Sequence, residues 1–267
     1  MYRYPLLIGR RLMQFASQSL CLIYPEVCQA CCISLATPEE GFLCADCQKG
    51  VEPVLPPFCS RCGRPSESPG GPLQWVCMDC SIRPYAFESA RAAVHASPLM
   101  LGLIHQFKYQ GALWMTPFFK QLMARCYEHD HEVMGCEGIL PVPLHPLRKR
   151  ERGYNQATIL ARMVCDLHRH QWLDGVLKRI APNPSQTMLS RSMRFKNMAR
   201  AFEVQKPERI QGKKLLLIDD VLTSGATADA CAQACLQAGA ASVIVRTLVC
   251  VAKRRSSARG PGCLTLY

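Results

Sequence analysis

Four Cys-x2-Cys pairs crowd into residues 28–80: Cys28/Cys31, Cys44/Cys47, Cys59/Cys62 and Cys77/Cys80. Their gaps read C-x2-C-x12-C-x2-C, then an 11-residue spacer, then C-x2-C-x14-C-x2-C. Two residues between thiolates let both sulfurs of a tight turn face one tetrahedral ion, and a second such turn completes four ligands. A segment this short, with Phe42, Phe58 and Trp75 as its few large apolar residues, buries too little surface to fold unaided. Metal supplies the missing stability. The spacing predicts two structural Zn sites. Sequential pairing, 28/31 with 44/47 and 59/62 with 77/80, makes a double zinc ribbon. Interleaved pairing stays open, although the spacer disfavours it, and Cys32 is an adjacent thiol able to stand in for Cys31. With sulfur at all four corners no position is left for water, so the zinc is structural, not catalytic.

The remaining composition narrows the class. Seventeen cysteines, an odd number in 267 residues, do not suit a small secreted disulfide scaffold. A 49% hydrophobic content excludes disorder and fibres and predicts one or two globular domains. No run approaches the roughly 18 apolar residues of a membrane span. The N-terminal stretch carries Arg3, Arg10 and Arg11 and is interrupted by Gln14, Ser17, Gln18 and Ser19. It is therefore expected to be an amphipathic packing helix over 1–23, not a signal peptide, in a cytoplasmic protein with reduced thiols.

Beyond Pro84 the pattern alternates between strand and helix. Strands are expected at 86–95, 138–142, 215–218 and 242–251, and helices at 98–109, 113–127, 154–168 and 226–238. Strands separated by helices of this length form βαβ units around a parallel sheet, so the fold class is α/β. The sharpest motif is Leu-Leu-Leu-Ile-Asp-Asp-Val-Leu-Thr-Ser-Gly-Ala-Thr at 215–227. An apolar strand ends in Asp219 and Asp220, and a turn of small residues opens a helix. Thr223, Ser224, Gly225, Ala226 and Thr227 offer N–H groups and hydroxyls to a phosphate at a helix start. The two acids would repel that phosphate, but they suit sugar hydroxyls or a divalent cation such as Mg²⁺. A nucleoside-triphosphatase strand is excluded, because no GxxxxGK[ST] loop lies upstream.

These residues resemble the 5-phosphoribosyl-1-pyrophosphate (PRPP) motif of type I phosphoribosyltransferases. More widely, the chain resembles the ComF family of competence and DNA-uptake proteins, including the GntX-like members linked to DNA utilisation. The likeness spans about residues 20–250 and includes the cysteine ribbon, Phe107-Lys108-Tyr109, Pro141-Val142-Pro143-Leu144-His145 and Arg152-Gly153-Tyr154-Asn155-Gln156. It continues through Ser185-Gln186, Leu189-Ser190-Arg191, Arg194, Asn197 and Ala201-Phe202. The resemblance implies a type I phosphoribosyltransferase-like parallel sheet, with helices on both faces, behind the ribbon. It assigns the ribose hydroxyls to Asp219 and Asp220, the 5′-phosphate to the 223–227 loop, and the pyrophosphate to Arg148, Arg152 and Lys108. It also makes 180–200 part of a cover over the site. Purine-salvage relatives carry an acidic base where this chain has Thr223, and relatives often place a Thr where it has Asn183, so those two roles do not carry over.

Formal net charge is +12, from 32 Lys+Arg against 20 Asp+Glu, and its placement matters. Residues 28–80 hold three basic and six acidic side chains, whereas 178–214 hold ten and two, 141–156 hold four and one, and the tail adds Lys253, Arg254, Arg255 and Arg259. The ribbon therefore suits protein docking, and the excess gathers around the phosphate motif, where it attracts a multiply charged sugar phosphate. The expected organisation is a helix at 1–23, a ribbon at 24–84, a phosphoribosyltransferase-like domain at 85–252 and a disordered basic tail at 253–267. Two functions are compatible with this organisation. One is a phosphoribosyltransferase (a pentosyl-type glycosyltransferase) binding Mg-PRPP, with Asp219, Asp220 and Arg152 in catalysis. The other is a non-enzymatic DNA-uptake adaptor binding protein or single-stranded DNA through the ribbon and Arg191, Arg194 and Lys196.

Overall fold

The structure is a computed structural model that describes residues 27–66, 72, 74–168, 170–181 and 201–251. The expected N-terminal helix, most of the cover segment and the basic tail lie outside them. Each half of the cysteine-rich region pairs a loop knuckle with a short helix. Cys44 precedes helix α1 (Ala45–Lys49) and Cys77 precedes α2 (Met78–Ile82), both in extended backbone. One helical turn then brings Cys47 and Cys80 back towards the first cysteine of each pair. A two-residue ladder, β1 (Phe58–Cys59) with β2 (Gln74–Trp75), closes the second half.

The larger unit begins with β3 (Ala90–His95) and α3 (Pro98–Tyr109). Ser97 caps α3 by accepting from Met100 N at 3.2 Å, and Pro98 starts the helix where its missing N–H costs nothing. A 3₁₀ turn at Leu113–Met115 replaces the first turn of the helix expected from 113, and α4 runs Thr116–Tyr127. Then come α5 (His131–Met134), β4 (Gly138–Pro141), α6 (Pro146–Arg152), α7 (Gln156–His168) and β5 (Gln171–Trp172). A small antiparallel pair, β6 (Leu177–Arg179) and β7 (Phe202–Val204), lies on either side of residues 180–201. The last described elements are β8 (Lys214–Leu222), α8 (Ala226–Gln237) and β9 (Ser242–Cys250).

Strands pair in the order β3-β9-β8-β4-β5, all parallel. Side chains alternate across β8, so Leu215 and Leu217 join one core with Ala230 and Cys231 of α8. Leu216 and Ile218 join the other with Leu160, Ala161 and Val164 of α7. Burial on both faces is why 215–218 reads as an unbroken apolar run.

The ribbons are packed onto this sheet. Residues 52–54 run along the outer edge of β3, with Val54 N donating to Ala93 O at 3.0 Å and His95 N to Glu52 O at 2.8 Å, which satisfies an otherwise open edge. Phe42 meets Trp114 edge-to-face at 5.6 Å beside buried Leu43. Gly63, at φ +69°, lies so close to β3 that a Cβ would stand 2.3 Å from Ala90 O. Among the described residues, no helix is long and apolar enough to cross a membrane.

Candidate functional site at the carboxyl edge of the sheet

From β4 the chain crosses through α7 outward to β5, and from β8 it crosses through α8 the opposite way to β9. Strand order therefore reverses between β4 and β8, and a crevice opens at their carboxyl ends, the usual ligand position in such sheets. The β4–β8 ladder stops at Pro141 opposite Ile218, while β8 continues beside β9 to Leu222 opposite Cys250. The strand thus runs four residues past the expected 218, and Asp219 and Asp220 lie inside it, bordering the crevice on the β4 side.

Two adjacent strand residues face opposite ways, and the acid pair divides accordingly. Asp219 joins Thr223, Gly225, Ala226, Thr227 and Thr247 around a small, solvent-open pocket. Its Oδ1 accepts from Asp220 N at 2.9 Å. Burial, then the neighbouring Asp220 carboxylate, pushes its pKa up to about 7, against the opposing pull of Lys108. Asp220 looks to the other face, where its Oδ1 meets Lys108 Nζ at 2.9 Å, with only 11% and 20% of the two side chains exposed. Lys108 is therefore ion-paired with a site carboxylate and is not a solvated helix-end lysine.

A clasp at the end of α3 holds Lys108 there. Tyr154 donates its hydroxyl to Phe107 O, and Gln156 Nε2 reaches Phe107 O at 3.4 Å and Lys108 O at 3.5 Å. Arg152 donates to Tyr109 Oη at 3.0 Å and to Gln156 Oε1 at 3.2 Å, with its guanidinium 4.8 Å from the Tyr109 ring centre. Gly153, at φ +78°, ends α6 in the left-handed turn that returns Tyr154 to the clasp. The two segments Phe107-Lys108-Tyr109 and Arg152-Gly153-Tyr154-Asn155-Gln156 thus form one structure. Arg148, also on α6, pairs only with exposed Glu151 at 3.4 Å among the described contacts. Neither Arg148 nor Arg152 lines the Asp219 pocket.

The 223–227 loop turns at Gly225, φ +75°, and leads straight into α8. Ser224 sits behind the pocket wall, its Oγ accepting from Ala226 N at 3.5 Å. Nothing in the sequence singles out Arg179, one of ten cations between 178 and 214. It is 8% exposed on β6 and lies over Phe202 at 5.3 Å. Burial lowers its pKa, while Cys231 and then Asp219 pull the other way, so it belongs electrostatically to the same site.

Two sulfur clusters stand apart from this pocket. Cys28, Cys31, Cys44 and Cys47 form one, and Cys59, Cys62, Cys77 and Cys80 the other, with all sulfurs of each within 4.8 Å of one another. The pairing is sequential. Cys31 and Cys44 sulfurs are 3.9 Å apart and Cys62 and Cys77 sulfurs 3.7 Å, matching the roughly 3.8 Å edge of a tetrahedron with 2.3 Å Zn–S bonds. Backbone N–H groups of Ser34 and Ile33 lower the Cys31 thiol pKa, whereas burial raises those of Cys47, Cys62 and Cys80. Both donor sets fit zinc. Cys32, at φ +57° and exposed, lies outside the first cluster.

Sheet order, acid-bearing strand and small-residue loop, joined to two four-cysteine clusters, define a double-zinc-ribbon protein with a parallel α/β domain. A family model described as a double zinc ribbon domain matches residues 19–81. Competence protein F of Haemophilus influenzae is 30% identical over 213 residues, covering 75% of this chain and 86% of that protein. DNA utilization protein YhgH of Escherichia coli O157:H7 is 29% identical over 228 residues, covering 84% and 96%. Competence protein ComFC of Bacillus subtilis is 27% identical over 226 residues, covering 80% and 86%. The chain belongs to this competence and DNA-utilisation family, ComF. Solved structures are more distant. The glutamine PRPP amidotransferase from B. subtilis has a TM-score of 0.30 at 14% identity, covering 43% of this chain, which spans only 24% of that one. An adenine phosphoribosyltransferase from Rhodothermus marinus has 0.33 at 13%, covering 54% and 83%. The fold rests on the strand order above and not on these likenesses.

Proposed function

We propose that the chain binds Mg-PRPP in the crevice between β4 and β8 and transfers the phosphoribosyl group to an acceptor nucleophile, releasing pyrophosphate. The observation that carries this reading is the meeting of the Asp219 carboxyl with the Gly225-Ala226-Thr227 helix start in one pocket. A phosphate on the loop's N–H groups would share that pocket with the carboxyl, which suits ribose hydroxyls. Asp220, on the other face of the strand, would act by holding Lys108 beside the crevice, and Arg148 and Arg152 would meet the pyrophosphate.

In the transfer, the acceptor's lone pair bonds to C1 as the bond from C1 to the pyrophosphate oxygen breaks. That electron pair leaves with pyrophosphate, and the acceptor's proton passes to solvent, since Thr223 stands where an acidic base would be. The guanidinium groups stabilise charge building on the leaving oxygen. Mg²⁺, carried on the pyrophosphate oxygens, would add to that stabilisation. A cytoplasmic setting would keep the eight ribbon thiols reduced for zinc. Isothermal titration with Mg-PRPP is expected to give heat with wild-type protein and none with Asp219→Asn/Asp220→Asn. A silent wild-type titration would end this reading, and pyrophosphate release on adding candidate acceptors tests turnover.

A partner in DNA uptake is a second element of the proposal. Ile33 and Leu35 on the first ribbon are 85% and 73% exposed, and Met78 and Ile82 on the second 79% and 75%. Apolar side chains this open on an acidic module suit docking to a protein. Ile33→Ser/Leu35→Ser should then impair DNA uptake while leaving Mg-PRPP binding intact.

A further inference from the structure

One side chain joins the second ribbon to the phosphate loop. Tyr85, 6% exposed, donates its hydroxyl to Ser224 O at 2.9 Å. Its ring lies against Gly225, where a Cβ would stand 2.9 Å from Cε1, and stacks on Phe87 at 4.5 Å and 15°. Behind it, Arg61, inside the Cys59–Cys62 knuckle, donates from Nη2 to Tyr85 O at 3.1 Å. The next residue, Ala86, donates its N–H to Asp229 Oδ1 of α8 at 2.7 Å. Metal knuckle, Arg61, Tyr85 and the 224–225 peptide therefore form a continuous polar chain, and Asp229 ties the same linker to the helix that the loop opens.

We propose that Tyr85 is a positioning residue for the phosphate loop, through which the second zinc ribbon sets the affinity for the ligand's 5′-phosphate. The inference rests on the reading of 223–227 as that phosphate's cradle. A loop that presents N–H groups to an anion binds tightly only if those groups are held in place before the anion arrives. Small residues give the 223–227 loop its close approach to a ligand, but they also leave it little packing of its own. Tyr85 supplies that restraint from outside, with a hydrogen bond to one carbonyl and an aromatic wall behind the left-handed glycine. The first ribbon has no corresponding contact with the loop among the described residues. The second ribbon therefore bears on the loop, while the first packs beside the α3–α4 face.

Two ligands separate positioning from general damage. Ribose 5-phosphate uses the loop, whereas Mg-pyrophosphate occupies only the leaving-group side. Tyr85→Phe keeps the ring and removes the hydroxyl. It is expected to retain wild-type zinc content, to bind ribose 5-phosphate roughly tenfold more weakly, as loss of one hydrogen bond predicts, and to bind Mg-pyrophosphate unchanged. Arg61→Met should shift ribose 5-phosphate affinity in the same direction by a smaller factor. Equal weakening of both ligands in Tyr85→Phe, or ribose 5-phosphate binding like wild type, would overturn the role of Tyr85. A wild-type protein that binds Mg-pyrophosphate but no ribose 5-phosphate would instead remove the phosphate-loop reading beneath it.

Discussion

Asp219 carries a cost to stability that follows from its site. Its folded pKa of about 7 stands above the roughly 3.9 of an unfolded aspartate, so the folded state holds a proton that the unfolded chain has lost between those values. Stability must fall as pH rises from about 4 to 7 and stay low above that range. Asp219→Asn removes this slope. It should raise stability at pH 8 by on the order of 1 kcal/mol or more, with little change at pH 3, read from urea unfolding at the two pH values. A variant less stable than wild type at pH 8 contradicts the argument. The Lys108–Asp220 pair predicts the reverse. Lys108→Met leaves a mostly buried carboxylate without its cation and should cost about 1–3 kcal/mol at pH 7. The loss should nearly vanish when Asp220→Asn is already present, as a double-mutant cycle would measure.

At the scale of elements, the least legible part of the sequence is α5, four residues held by charge. Arg246 of β9, 1% exposed, reaches Asp130 Oδ2 at 2.7 Å through Nε and Glu132 Oε2 at 2.6 Å through Nη2. It also donates to Ser89 Oγ at 3.2 Å. Burial would raise both carboxyls, but Arg246, with Ser89 on Glu132, overcomes it and holds them below their usual values. Their stabilisation is therefore complete above the unfolded carboxylate range and drains away as pH falls below about 4. Arg246→Met should cost about 3 kcal/mol, the lower part of the usual range because half-exposed Glu132 can turn to water, or roughly 6–12 °C in melting temperature. A shift under 2 °C would make the network incidental. No periodicity announces such a network, since the strand pattern of Ser-Val-Ile-Val-Arg-Thr-Leu-Val-Cys does not say which acids its arginine meets. By contrast, β8 and α8 could be read because each is long and obeys one rule, an unbroken buried run or a helix opening after small residues. The acids appeared as a pair because sequence gives adjacency and not direction. The pleat sends Asp219 to the pocket and Asp220 to Lys108. The Tyr154–Phe107 clasp joins residues 47 positions apart, and only the fold brings them together.

For the whole molecule, the question is whether the ribbons are separate folding units. Their sequence suggests modules that depend on metal alone, yet each shares a core with the sheet. Cys59, Cys77 and Cys80 lie in the same cluster as Leu215, Leu217 and the alanines of α8, and Leu43 lies with Phe107, Phe119 and Leu216. The 52–54 strand edge and the Tyr85–Ser224 contact add polar ties between the same parts. Because binding to the folded state alone stabilises that state, metal in either cluster stabilises everything cooperative with it. Calorimetry should therefore give one principal transition for the zinc-loaded protein, moving down as a whole when a strong chelator strips the metal. Two transitions, with only the lower one responding to chelator, would mean that the sheet folds without its ribbons and that the apolar contact between them is too weak to couple them. The core that the second quartet shares with the sheet argues for a single transition. A cysteine quartet inside a sheet's core cannot open without exposing the leucines beside it, and the same opening would release the loop that Tyr85 restrains.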